Sequence, residues 1–178
     1  MSTDTKSLVR IFQSKSFAAA FFQTTDSMAP TIIRIVLSSV LWAHGAQKLL
    51  GWFGGYGFEG TMGFFTGTVG LPWIIGFLVI VIEFFGSILL LFGFAARFWG
   101  IAMAMLMLGV ALTSHIQNGF FINWLGNQKG EGIEYFLLAM AMSLSIIFTG
   151  AGRFSIDRLI MSMKTEKLAA QKFITFKL

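Results

Sequence analysis

Four apolar runs constrain this chain more than any other feature of its sequence. Each is close to the roughly 20 residues that a helix needs to cross a bilayer. They lie at about 31–53, 72–93, 97–115 and 131–149. Hydrocarbon offers no water to pair a backbone amide, so such runs fold as helices. The expected fold is therefore all-α: a polytopic membrane protein built on a four-transmembrane-helix bundle. Composition agrees, with 56% hydrophobic and 12% charged residues and a mean hydropathy of +0.77. The pI near 9.8 does not indicate nucleic acid, because most of the positive charge sits in the terminal segments, where anionic lipid and topology account for it. The chain has no cysteine, which excludes disulfides, thiolate nucleophiles and cysteine-held iron–sulfur clusters within it.

Three regions are expected: an N-terminal amphipathic segment, 1–29; the transmembrane domain, 30–153; and a basic amphipathic tail, 154–178. Residues 7–23 set Leu8, Ile11, Phe12, Ala19 and Phe22 at helical spacing among Arg10 and Lys15, as a helix lying on a membrane surface does. No cleavable signal peptide is evident, and the first span is expected to act as an uncleaved insertion signal. The stretch 54–71 holds seven glycines. It is too broken to span, but Phe58, Met62 and Phe65 fit a short interfacial helix. Ala95–Arg97 reads as a tight turn, and Ser155 as the cap of a helix reaching about Phe173. The methionines Met103, Met105 and Met107 read as packing filler. Lys and Arg cluster before the first run, at Arg97, and from Arg153 onward; the loop between the first two runs has none, and that between the last two has only Lys129. The bias predicts both termini in the cytoplasm of an inner-membrane protein.

Against that background the polar residues inside the runs stand out. His44, Gln47 and Lys48 fall at i, i+3 and i+4 on one broad helix face. At 100° per residue, Arg34 joins His44 and Lys48 within an arc of about 80°. Glu83 lies eleven residues beyond Pro72, close to the midplane, where an unpaired carboxylate is most costly. It demands a counter-charge, from Lys48 or Arg34. His115 closes the third run and Glu134 opens the fourth. Convergence of these groups in the outer half of the bundle is expected. A histidine or lysine there could donate to a quinone carbonyl while a carboxylate exchanges the proton. A cation-lined pocket could instead hold a small anion, or the groups could form a network that only fixes helix packing. Two histidines are a thin basis for haem, and no metal set is expected.

These residues resemble the DoxX family. The likeness is carried by Arg34, by His44-Gly-Ala-Gln-Lys48 with Gly51-Trp-Phe-Gly-Gly55, and by Gly57-Phe-Glu-Gly60 with Gly70-Leu-Pro72. It continues through Glu83, His115-x-x-Asn-Gly-Phe-Phe121, Gly132-Ile-Glu-Tyr135 and Gly150-x-Gly-Arg-x-Ser-x-Asp157. The resemblance covers about residues 31–158 and implies four transmembrane helices. The family includes relatives of DoxD, a subunit of thiosulfate:quinone oxidoreductase, and proteins grouped with membrane redox-defence complexes; distant relatives have been proposed as membrane chaperones. Two functions follow as expectations. In one, the chain is a redox-linked membrane subunit that binds quinone or a small redox-active molecule. His44, Lys48, Glu83 and His115 are then the candidate catalytic groups, and Arg34, Gln47 and Glu134 the candidate binding groups. In the other it is a non-catalytic accessory or scaffold subunit. The partners expected are the bilayer and either other subunits or further copies of the chain, and no nucleic acid.

Overall fold

A computed structural model describes residues 21–177, and the side chains of residues 21–166. The surface helix expected over 7–23 lies almost wholly outside those residues. No strand occurs among the described residues.

Helix α1, Met28–Leu50, begins where the Ser27 hydroxyl accepts from the Ala29 amide at 3.3 Å. It ends at Gly51, whose φ of 72° suits a residue without a Cβ. These caps place the helix three residues earlier at each end than hydropathy alone suggests. The glycine-rich stretch contains α2, Gly57–Gly63, extended by a π-helical turn at Phe64–Thr68, so a short helix forms there as expected. Helix α3, Trp73–Leu91, carries a π-helical turn at Ile82–Gly86. Helix α4, Ala96–Asn118, ends through another at Ala111–His115. Helix α5 is Glu134–Thr149 and α6 is Ile156–Lys177.

Helices α1, α3 and α4 are long and apolar enough to cross a membrane. Helix α5 is shorter than the expected run, at 16 residues, or about 24 Å against a hydrocarbon core of about 30 Å. The loop before it explains the difference. The amides of Gly132, Ile133 and Glu134 donate to the carbonyls of Phe121, Gly119 and Phe120 at 3.1, 3.1 and 2.9 Å. Residues 132–134 are thereby tied to the loop 119–121, and the helix, which leaves its first amides unpaired, starts at Glu134 with its first amide already satisfied.

Helix α4 packs along α5, α1 lies against α3 and α5, and α3 also meets α4. Leu37, Leu41, Leu90, Met103, Met107, Phe136 and Ile146 fill the centre. Ser38, Ser87 and Ser143 are fully buried among them, and Gly100 would place a Cβ 3.2 Å from the Ser143 carbonyl. Small residues of this kind let helix backbones approach where hydrophobic contrast with lipid is absent. Trp52, Tyr56 and Trp73 are exposed at the end where α1 stops and α3 starts, as in an interfacial aromatic belt.

At the other end, the basic one, side chains tie the helices together. Arg34 is 2% exposed. Its Nε donates to the Ala151 carbonyl at 2.8 Å and Nη1 to that of Leu90 at 3.2 Å, and further bonds reach Leu91 and Phe154. One guanidinium thus serves the last carbonyls of α3 and the turn after α5. Asp157 is 1% exposed and accepts from the amides of Ala95 and Ala96 at 2.7 and 2.9 Å, capping α4. Burial pushes the Asp157 carboxyl up, against the pull of those amides and of Arg34. Ser155 accepts from the Arg158 amide at 3.3 Å and caps α6. The Arg158 guanidinium binds the exposed Asp26 and holds its carboxyl below the usual range. The string from Gly150 to Asp157 is therefore a latch. Replacing Arg34 with Met should cost about 3 kcal/mol, because several helix-end carbonyls lose their donor at once. Asp157→Ala should cost about 2 kcal/mol. Thermal unfolding in detergent, followed by circular dichroism, measures both.

Candidate functional site

Apart from Arg34, the candidate polar residues lie toward the end opposite the latch, where α1 packs against α3 and α5. Glu83 sits in the π-helical turn of α3, ten residues after Trp73 and so about 15 Å along the helix. A π turn inside an α-helix is uncommon and recurs at functional positions. Lys48, in the last turn of α1, places Nζ 2.5 Å from Glu83 Oε2. The lysine side chain is 24% exposed and the carboxylate 5%. The pair therefore has a shielded half and a half that opens outward.

Gly45 makes this approach feasible. A Cβ there would lie 2.5 Å from the Phe84 amide nitrogen and 2.6 Å from the Glu83 carbonyl carbon. Only a residue without a side chain lets α1 touch the backbone of the turn that carries the carboxylate.

His44, one turn before Lys48, turns its ring toward Tyr135 on α5, with centroids 6.1 Å apart. Its ring is exposed at the surface of the bundle. The Tyr135 hydroxyl is buried and has no hydrogen-bond partner. A buried hydroxyl in hydrocarbon without a partner is costly, and it marks a place where an acceptor is missing. The sequence places Tyr135 in the string Gly132-Ile-Glu-Tyr135 but not among the candidate site residues. Its position directly after Glu134 at a helix start was the available signal.

The remaining candidates are placed differently. The ring of His115 packs on Phe136 at 4.4 Å, and Phe136 on Tyr135 at 5.2 Å, so a line of rings joins the two histidines. His115 Nδ1 lies 2.8 Å from the Glu131 carbonyl oxygen. A carbonyl only accepts, so Nδ1 carries the proton and Nε2 keeps its lone pair in the neutral ring. Glu134 accepts from the Ile122 amide at 3.1 Å and holds the loop over the end of α5. Gln47 donates to the Phe53 carbonyl at 3.2 Å and fixes the turn after α1. Arg34 is ten residues from His44, about 15 Å away along α1, and all its recorded bonds are in the latch. The structure thus joins Lys48 to Glu83, sets His44 beside Tyr135, reaches His115 through rings, and leaves Arg34 apart. Among the described residues, no three His, Asp or Glu side chains assemble to hold a metal.

A helical bundle with an ion pair and an unsatisfied hydroxyl inside it defines an integral membrane protein with a polar interior site. The chain matches the DoxX family model over residues 29–116, from the start of α1 to the end of α4, and belongs to that family. The curated relatives include a protein of Bacillus subtilis (strain 168) named "Putative oxidoreductase CatD". It is 28% identical over 133 residues, covering 75% of this chain and 87% of the relative. No solved structure matches the chain.

The Tyr135 hydroxyl gives a direct check. Where a buried hydroxyl has no partner, removing it should leave stability unchanged or raise it slightly. Tyr135→Phe in detergent, without added ligand, should melt at or slightly above the native temperature. Gly45→Ala should instead cost about 2 kcal/mol through backbone overlap. A fall in the melting temperature of Tyr135→Phe as large as that of Gly45→Ala would mean that the hydroxyl has a partner inside the protein.

Proposed function

We propose that this protein is a redox-linked membrane subunit with four spans and both termini cytoplasmic, and that it binds a quinone in the outer half of the bundle. The observation that carries the reading is the Tyr135 hydroxyl, buried and without a partner, on a ring that meets His44 one turn from the Lys48–Glu83 pair. A quinone carbonyl is an acceptor of the size and polarity such a hydroxyl lacks. Lys48 Nζ donates to a second acceptor or to Glu83. Glu83 and His44 exchange protons with the bound head as it becomes a quinol. That conversion takes up two electrons and two protons, and the electrons come from a redox partner. The name carried by the Bacillus relative, an oxidoreductase, supports this class of chemistry. The basic residues at the latch support the orientation, and the short α5 spans where the bilayer thins to meet it.

A scaffold is the second reading, and one observation favours it: Lys48 and Glu83 neutralise each other, so the pair can fix helix packing without chemistry. Binding separates the two. The purified full chain is titrated with a short-chain ubiquinone, using intrinsic fluorescence and calorimetry. Glu83→Gln, Lys48→Met and His44→Ala should each weaken binding at least tenfold. Tyr135→Phe should weaken it roughly three- to tenfold, the worth of one hydrogen bond. Binding that survives all four substitutions, or no binding by the native chain, would leave the scaffold.

A further inference from the structure

A second feature lies on the flank of α1 and α3, away from the ion pair. Ser38, Ser39, Trp42 and Ala43 of α1 face Ser87, Ile88 and Leu91 of α3 across a cavity of about 540 Å³. On α1, Lys48 and the lining residues point to different sides at 100° per residue, so the cavity is distinct from the Lys48–Glu83 site. Its walls are the Trp42 ring, held between Phe84 and Trp52 at 6.2 and 6.1 Å, and the side chains of Ile88 and Leu91. Hydroxyls line its floor at Ser38 and Ser87 and its rim at the exposed Ser39. The Ser38 hydroxyl donates to the Arg34 carbonyl at 2.6 Å and that of Ser39 to the Ile35 carbonyl at 2.8 Å. Ser87 is fully buried, lines the cavity, and has no partner for its hydroxyl.

The arrangement describes its occupant. The walls are hydrocarbon, and the volume falls in the range of about 300–1,000 Å³ typical of small-molecule sites. A slender apolar occupant suits these walls better than a helix about 10–12 Å across with its side chains. An extended acyl chain is narrow enough. Ser87 lies four residues before Leu91, about 6 Å along the axis, and the Leu91 carbonyl is held by Arg34 in the latch. The unpartnered donor therefore sits about one turn inside the basic end of α3, within reach of an ester carbonyl drawn a few ångströms below the edge of the hydrocarbon. That end of the bundle also carries Arg97, Arg153 and Arg158 against Asp26, which pairs with the last two, and the positive charge left over favours an anionic headgroup. We propose that this cavity holds one acyl chain of an anionic glycerophospholipid from the leaflet at the basic end, with its ester carbonyl accepting the Ser87 hydroxyl. The rest of the chain runs past Ser38 and Ala43 beneath the Trp42 ring. The inference does not rest on the quinone reading, since it uses a different face of the bundle.

The test uses the full chain in nanodiscs containing phosphatidylglycerol with a photoreactive diazirine in the middle of one acyl chain. Adducts should concentrate on Trp42, Ala43, Ile88 and Leu91, as mapped by peptide mass spectrometry. Unlabelled phosphatidylglycerol should compete at least tenfold better than phosphatidylcholine. Ala43→Phe, which fills the cavity, should lower labelling at these positions at least tenfold. Ser87→Ala should lower it roughly three- to tenfold, the worth of the lost hydrogen bond. Should Ala43→Phe fail to fold, Ser87→Ala alone decides, because it only removes a buried unpartnered oxygen. Labelling spread evenly along all lipid-facing helices would overturn the proposal. So would equal competition by phosphatidylcholine, displacement by a short-chain ubiquinone, or cross-links from these residues to a second copy of the chain.

Discussion

The contact between Lys48 and Glu83 is the interaction on which the rest of the structure depends. A carboxylate some 15 Å along a transmembrane helix is tolerated only with a counter-charge within reach. Lys48 supplies it, and Gly45 lets α1 come close enough for the lysine to do so. The π-helical turn at Ile82–Gly86 is where α3 receives that contact. Such an ion pair is not a gain in stability by itself, since desolvating two charges costs about as much as their attraction returns. What it provides is a fixed polar point inside an apolar bundle. His44, Tyr135 and, through Phe136, His115 are arranged around it.

The two ends of the bundle divide the work. At the basic end the buried charged side chains have found structural partners, Arg34 on carbonyls and Asp157 on amides, and Ser155 caps the start of α6, while the hydroxyls of Thr31 and Ser87 stay unpaired. The charges at that end are thereby held in place. At the other end Gln47 and Glu134 bind backbone and shape the turns, while Tyr135 is left with an unmet hydrogen bond. Rigid structure on one side and unmet polar capacity on the other is how a scaffold presents a site. The DoxX match, which runs from α1 to the end of α4, covers the Lys48–Glu83 pair but not Tyr135.

Much of this was legible in the sequence. Apolar runs gave the helices, because only a helix satisfies its own backbone in hydrocarbon. The cost of a lone charge there made Glu83 look for Lys48 or Arg34, and the structure chose Lys48. Other features were not legible. Arg34 shares a helix face with Lys48, and spacing alone could not show that α3 and the turn after α5 end beside it and bring their carbonyls to its guanidinium. Helix α5 looked as long as the others because hydropathy does not register that residues 132–134 pair with the loop at 119–121. Tyr135 was hidden because an orphaned hydroxyl is a property of three-dimensional surroundings and not of residue type. Gly45 lies within the quoted string from His44 to Lys48, but its role needs the position of the Phe84 backbone.

A double-mutant cycle on the ion pair tests the central claim most directly. Lys48→Met, Glu83→Gln and the combined variant are unfolded from mixed micelles, and the three changes in stability are compared. If the two charges neutralise each other inside the bundle, each single substitution strands the other group, and the combined variant should be less damaged than the sum of the two by about 1–3 kcal/mol. A sum that is additive within about 0.3 kcal/mol would mean that Lys48 and Glu83 do not meet, and the account of this bundle would fail with it.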